Sequence, residues 1–463
     1  MEILEGSVEK LPFEAETFDK IVTVESFYFW PNPQENLKEV RRVLKTGGTF
    51  LLVADIYEKP GLPREVKDNI RKFHLFNPTM EQFKGSRICR DKDSHKGWRG
   101  LDLRRGNQII ERAQNGENDM KLSIIVPVYN MASDGKLNYC LDSLAAQTIS
   151  DYEVITVDDA STDESFSILL EYEKKYPGKF KAVHSEVNKR QGGAKNIGLS
   201  LAKGEWIGFI DSDDWILPTM YEKLIGRAEE TDADMVGCDY CLTDEHSMKI
   251  GKRVENGKAE QSGVLGNKQC RSLILDSGSL VVKVYRREIF MDSGIRFPEH
   301  IFYEDNAISD AVLLQAHHYE YIPEVMYFYY QHEASTVHTI SRERCEDRMA
   351  AGRGILENAK KFGYLETYRP EICFEYTMLF YVNTLFSYMV GKGHKSLSFI
   401  RKMGNELKEA FPDFADNPYY QERVNAEQKK MIAMQQRSTA AFVLYYKALW
   451  TWRNFRKKHF GKK

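Results

Sequence analysis

At 463 residues the chain exceeds one ordinary domain, and length alone predicts two to four. Hydrophobic residues make up 42% and charged residues 29%, which is the balance of a soluble globular protein. A formal net charge of -3 gives no global argument for nucleic acid or for an acidic partner, so no nucleic-acid partner is expected. The seven cysteines are scattered and odd in number, which excludes a dense disulfide framework and points to a reducing compartment. The opening MEILEGSVEKLPF has no basic region followed by an apolar core, so no signal peptide is predicted. No run approaches the roughly 20 apolar residues that span a bilayer. The expected location is the cytoplasm.

Four zones follow in chain order. Residues 1–83 carry FDKIVTVESFYFW, NLKEVRRVLK, TGG and TFLLVADI, an order that predicts strand, helix, turn and strand. Residues 84–119 show no apolar period and are rich in Arg, Lys, Asp and Gly, predicting a linker without a core of its own. Within 120–340, LSIIVPVYN, YEVITVDDAS, KFKAVHSE, EWIGFIDSDD and ADMVGCDY read as buried strands. The helical patterns KLNYCLDSLAAQ, ESFSILLEYEKKY, GGAKNIGLSLAKG and PTMYEKLIGRAEE lie between them. That alternation predicts an α/β fold with a Rossmann-like, mostly parallel sheet and helices on both faces. Residues 341–463 turn helical and aromatic and end in a basic tail, YYKALWTWRNFRKKHFGKK.

Ligands of open parallel sheets bind outside the carboxyl ends of the strands. The residues there are Pro127-Val128-Tyr129-Asn130, then Asp158 to Asp163, then Asp211-Ser212-Asp213-Asp214. Helix capping accounts for Asp163 as well as a ligand role does, because each cluster precedes a helix. Capping uses only one side chain of the group from Asp211 to Asp214. A divalent cation completed by substrate phosphates accounts for the rest. Cys238 and Cys241 form a single CxxC at the end of an apolar strand, and buried thiols are the expectation there.

The ordered set SIIVPVYN, VDDASTD, GGAKNIGLSLAKGEWIGFIDSDD and the later YED resembles the family 2 glycosyltransferases of GT-A fold over about residues 121–338. The resemblance implies an inverting transferase that moves a sugar from a nucleoside-diphosphate sugar, commonly a UDP-sugar, to an acceptor hydroxyl. A glycan or lipid-linked acceptor in cell-surface polysaccharide synthesis is the implied setting. It implies that Pro127 and Tyr129 wall the nucleotide pocket, that Asp158 and Asp159 read the base, and that Asp211 lies near the ribose. Asp213 is the implied ligand of Mn2+ or Mg2+, and Asp305 the implied base. Lys195 stands where the family often has Arg, so a phosphate contact there loses the bidentate fork, and a plain solvated helix lysine is the alternative reading. Glu304, Lys283, His332 and Ser335 are candidates for the donor or acceptor site.

Leu11-Pro12-Phe13, Thr17-Phe18-Asp19 and the stretch Glu39 to Gly48 resemble the second half of a class I methyltransferase. The glycine-rich loop of that family is absent, so S-adenosylmethionine is not an expected cofactor. Ser7 stands where the family usually has an acid near the adenine. Residues 1–83 are therefore read as a partial methyltransferase-like fragment, with Met120 as the natural start of the transferase. The tail from Tyr445 to Lys463 combines Trp450 and Trp452 with Lys and Arg and no acid, which suits peripheral contact with the inner face of a membrane or, equally, a solvated helix end. Three other functions compete with sugar transfer. A nucleotidyltransferase would need a Gly-rich, Arg-containing loop, which VPVYNMASDGK lacks. A bifunctional methyl and glycosyl transferase would need the missing cofactor loop. A non-catalytic nucleotide-sugar binder would be expected to lack Asp305 or Asp213.

Overall fold

A computed structural model describes residues 11, 13–15, 17–24, 39–40, 42–53, 120–331, 341–391 and 393–460. The expected linker 84–119 lies outside the described residues, as do Ser7, His332 and Ser335. The chain divides into two compact units, Met1–Glu117 and Asn118–Lys463.

In the first unit β1 (Phe18–Val24) pairs in parallel with β2 (Leu44–Val53). The register jumps from Phe18↔Leu44 to Lys20↔Thr49, and the expected TGG turn falls within that irregularity of the pairing. Val40 and Val43 are buried, and Glu39 accepts hydrogen bonds from the Leu11 N–H and from Arg42.

The second unit is built on one mixed sheet. Four neighbouring strands are parallel, in the order β5 (Phe180–His184), β4 (Tyr152–Asp158), β3 (Leu122–Val128), β6 (Trp206–Phe209). Beyond β6 the sheet mixes directions. β7 (Trp215–Ile216) pairs with β12 (His318–Tyr330), and β9 (Lys252–Val254) with β8 (Met235–Thr243). β11 (Lys283–Arg286) runs antiparallel to both β6 and β8, while β8 and β12 are parallel. β10 (Gly263–Val264) closes the edge on β12. Between strands lie α1 (Lys136–Ala145), α2 (Ser165–Lys175), α3 (Arg190–Leu201), α4 (Met220–Thr231), α5 (Asn267–Leu275) and α6 (Ser309–Leu313).

β3 is buried throughout, as its continuous apolar run predicts. Pro127 is tolerated in it because pairing with β6 ends at Ile125↔Phe209, two residues earlier, and the missing N–H leaves no gap in that ladder. α3 packs closely on β3 because Gly198 has no side chain; a Cβ there would lie 2.4 Å from Ile125 Cγ2. Cys238 and Cys241 are buried in separate apolar clusters on β8, three residues apart and hence on opposite faces, so they do not form a redox pair.

The helical region joins the same core, which runs without a break from Leu122 to Tyr446. α7 (Arg342–Lys361) starts on Ser341, whose hydroxyl accepts from the Arg344 N–H. α8 (Arg369–Tyr376) passes through a π-helical turn, Thr377–Asn383, into α9 (Thr384–Val390). The longer helices that follow are α10 (Leu397–Ala410), α11 (Ala426–Arg437) and α12 (Thr439–Phe460). Among the described residues no helix is long and apolar enough to cross a membrane.

Candidate active site

The chain runs from β3 outward to β4 and β5, then returns to place β6 on the other side of β3. The switch point between β3 and β6 is where doubly wound sheets bind ligands. Tyr129 leaves β3 at this edge and is 45% exposed, offering an open ring face beside the buried Pro127. The loop after it is fixed by the loop after β4. The Asn130 N–H donates to Ser161 Oγ at 2.9 Å, Met131 N–H to Ser165 Oγ at 2.7 Å, and Ala132 N–H to Asp163 Oδ2 at 3.0 Å. Asp163 also accepts from the Ser165 N–H at 3.0 Å, so it ties the start of α2 to the neighbouring loop.

Asp158 and Asp159 are both buried at the end of β4. Asp158 Oδ2 accepts from His184 Nδ1 at 2.7 Å. Asp159 Oδ1 accepts from the Lys189 N–H at 2.7 Å, while its Oδ2 is buried without a partner, as is Asp158 Oδ1. Burial raises the Asp159 carboxyl above its ordinary value, against the hydrogen bonds from the Lys189 and Arg190 backbone.

The carboxylates after β6 converge with those before α6. Burial, together with the repulsion of Asp213, Glu304 and Asp305, pushes Asp211 up to about 7, and its Oδ1 is buried with no hydrogen-bond partner. Lys195 works against that rise. It is not a solvated helix lysine: its ammonium is buried and donates to Glu304 Oε1 at 2.7 Å, 5.3 Å from the Phe297 ring centre. Burial disfavours its charge, but Glu304, Asp211 and Asp305 together hold it above the usual lysine range. Asp305 is itself raised by burial and then by Glu304. Asp214 turns away from this group, accepting from Tyr327 Oη at 2.6 Å and from the Tyr330 N–H at 2.8 Å. Among the described residues no three His, Cys, Asp or Glu side chains converge as a metal cage. Asp211 and Asp213 lie close enough for their charges to repel one another.

The loop that delivers Glu304-Asp305 is backbone-strained and held by α7. His300 (φ 62) and Tyr303 (φ 66) are left-handed, as is Arg190 (φ 61) on the facing turn. Gly192 lets that turn approach: a Cβ there would fall 2.1 Å from the Pro298 carbonyl oxygen. Arg190 lies 4.1 Å from the Phe302 ring centre and donates to Asp347 Oδ2 at 2.6 Å, an oxygen that also accepts from the Phe302 N–H at 3.3 Å. Arg348 donates to Tyr303 Oη at 2.6 Å, and Asn358 to the Ala307 carbonyl at 3.0 Å. Nothing in the sequence pairs Arg190 with Asp347 or Tyr303 with Arg348, since neither spacing nor period links residues so far apart.

Lys283 is buried in β11, and its ammonium donates to the carbonyls of Ser277 and Ser279 at 2.7 and 2.6 Å. Burial pushes it down to about 7, opposed by Cys238 and by Asp305, whose field reaches it. It braces the loop before β11 from beneath the site. His332 is outside the described residues.

The site is thus a set of acids at the β3–β6 switch point with a buried lysine among them. The family model for glycosyl transferase family 2 matches residues 123–293, and one for a methyltransferase domain matches residues 1–52. The chain is 30% identical over 221 residues to the glycosyltransferase YibD of Escherichia coli, covering 46% of this chain and 62% of YibD. It is 30% identical over 259 residues to the glycosyltransferase EpsH of Bacillus subtilis, covering 54% of this chain and 72% of EpsH. The crystal structure of S. aureus TarS 1-349 in complex with UDP-GlcNAc superposes with a TM-score of 0.52 at 22% identity, covering 69% of this chain and 92% of that one, which shows a shared fold. The chain belongs to glycosyltransferase family 2.

Proposed function

We propose that residues 120 onward transfer a sugar, with inversion, from a nucleoside-diphosphate sugar to an acceptor hydroxyl. The observation that carries this reading is the meeting of Asp211, Glu304 and Asp305 around one buried lysine at the sheet's switch point, with Asp213 beside Asp211. TarS, the structural neighbour, is described as holding UDP-GlcNAc, and a UDP-sugar is the donor class proposed here. Tyr129 and Pro127 line the base side, Asp158 and Asp159 read the base, and Asp211 lies toward the ribose.

Asp213, with Asp211 beside it, would hold Mn2+ or Mg2+; the unpartnered Asp211 Oδ1 and the mutual repulsion of the acids fit a dication. Such an ion supplies neutralising charge for the departing diphosphate. Asp305 takes the proton from the acceptor hydroxyl as its oxygen attacks the anomeric carbon. The bond to the nucleoside diphosphate breaks on the opposite face, which inverts the centre. The raised position of Asp305 suits this work, because a carboxylate with more affinity for protons is a better base. A glycan or lipid-linked acceptor at the cytoplasmic face is the proposed partner.

The experiment is a screen of nucleotide sugars for hydrolysis and thermal stabilisation, with and without manganese. Asp305→Asn should keep donor-induced stabilisation and lose transfer by at least about a hundredfold. Indifference to all donors, or unchanged turnover in Asp305→Asn, would overturn the assignment.

A further inference from the structure

α12 buries one apolar face in the bundle and exposes large apolar side chains on the other. Phe442, Val443 and Tyr446 are buried against the bundle, and Arg453 on that side donates to both carboxylate oxygens of Glu427 on α11. Leu444, Ala448, Trp452 and Phe455 recur at helical spacing of four, four and three on the opposite side. Leu444 is 70% exposed, Trp452 54% and Phe455 56%. Large apolar side chains aligned on an outward face are not what a solvated helix end needs. Lys447 and Arg456 flank the stripe on its two sides, and the Arg456 guanidinium lies 5.3 Å from the Trp452 ring centre. The helix sequence contains no acidic residue, and basic residues continue through Lys457, Lys458, Lys462 and Lys463.

We infer that this outer face of α12 docks on an anionic lipid surface, with Trp452 and Phe455 in the headgroup boundary and the flanking bases over acidic headgroups. Interfacial helices combine an apolar stripe with basic flanks, and aromatic rings settle at that depth. Charge decides against a second copy of the chain as the occupant. An isologous contact would set this basic helix against its own image. The surface lies on the helical region and is separate from the carboxylate cluster, so lipid docking does not depend on which sugar is transferred.

The test is co-sedimentation of the full chain with phosphatidylcholine vesicles containing or lacking phosphatidylglycerol, with no donor present. The expected result is partition roughly tenfold or more in favour of the anionic vesicles, falling away at high salt. Trp452→Ser combined with Phe455→Ser should weaken it by about tenfold while the far-UV circular dichroism stays that of the parent. Lys447→Glu with Arg456→Glu should abolish the preference for anionic lipid. Equal partition onto both vesicle types, or parent-like partition of either double variant, overturns the inference. So does self-association of the chain that the Trp452→Ser, Phe455→Ser change abolishes in ultracentrifugation.

Discussion

Replacing Lys195 by methionine removes the buried cation that faces Glu304, Asp211 and Asp305 while keeping most of the side chain's volume. Glu304 is buried and accepts the Lys195 ammonium at 2.7 Å, so the substitution leaves a carboxylate stranded in a low-dielectric site. Breaking one side of a buried pair costs about 3–5 kcal/mol. For a unit of this size that is a fall of roughly 4–7 °C in melting temperature. The same loss removes the term that restrains Asp211 and Asp305, so both carboxyls should rise further and the site should hold fewer negative charges at neutral pH. Adding Glu304→Gln to Lys195→Met removes the stranded charge and should return a large part of the lost stability. A double-mutant cycle on thermal denaturation, run with and without manganese and UDP, measures the coupling. A Lys195→Met protein that melts with its parent would refute the reasoning, because it would mean the ammonium never carried the pair.

The clamp from α7 gives a second expectation. Arg348→Ala removes the hydrogen bond to Tyr303 two residues before Asp305, and should lower kcat by about ten- to a hundredfold while donor KM changes little, as steady-state kinetics would show. If kcat is untouched, the strained loop holds its shape without α7. Asp310 gives a pH dependence: burial pushes its carboxyl up to about 7 from an ordinary 3.8, with Oδ2 unpartnered. Between those values the folded form keeps a proton that the unfolded form releases, so its contribution is intact below about pH 4 and is lost as pH rises through about 7, by about 4 kcal/mol at most. Asp310→Asn should flatten the fall in melting temperature from pH 5 to pH 8; a slope as steep as the parent's counts against Asp310 as its source. A chain shortened to begin at Met120 should keep sugar transfer, and a loss relative to the full chain would give the methyltransferase-like segment a part in the activity.

What could be read from the chain and what could not divide along a physical line. Asp159, Asp211 and Asp213 were legible because strand order alone carries the ends of β3, β4 and β6 to one edge, and each strand announces itself by a short apolar run. Pro127 in β3 looks like a break in a central strand until pairing shows that β6 has already left it. Gly47-Gly48 reads as a turn, and the pairing of β1 with β2 breaks register at that point. Lys195 was ambiguous for a deeper reason. A lysine in an α-helix is solvated by default, and only the arrival of Glu304 from another part of the chain, under Gly192 and the Pro298 carbonyl, encloses it. The same holds for Arg190, Asp347 and Arg348, which have no local signature because their roles exist only once α7 lies along the loop from His300 to Glu304. The proposed substrate-binding residues can therefore be found from strand ends, while Asp347 and Arg348, which hold the loop before Asp305, belong to the helical region and emerge only from packing. On the proposed mechanism that region helps to position the base. A transferase cut after β12 would keep the acids of β4 and β6 but lose the contacts that hold the base in place.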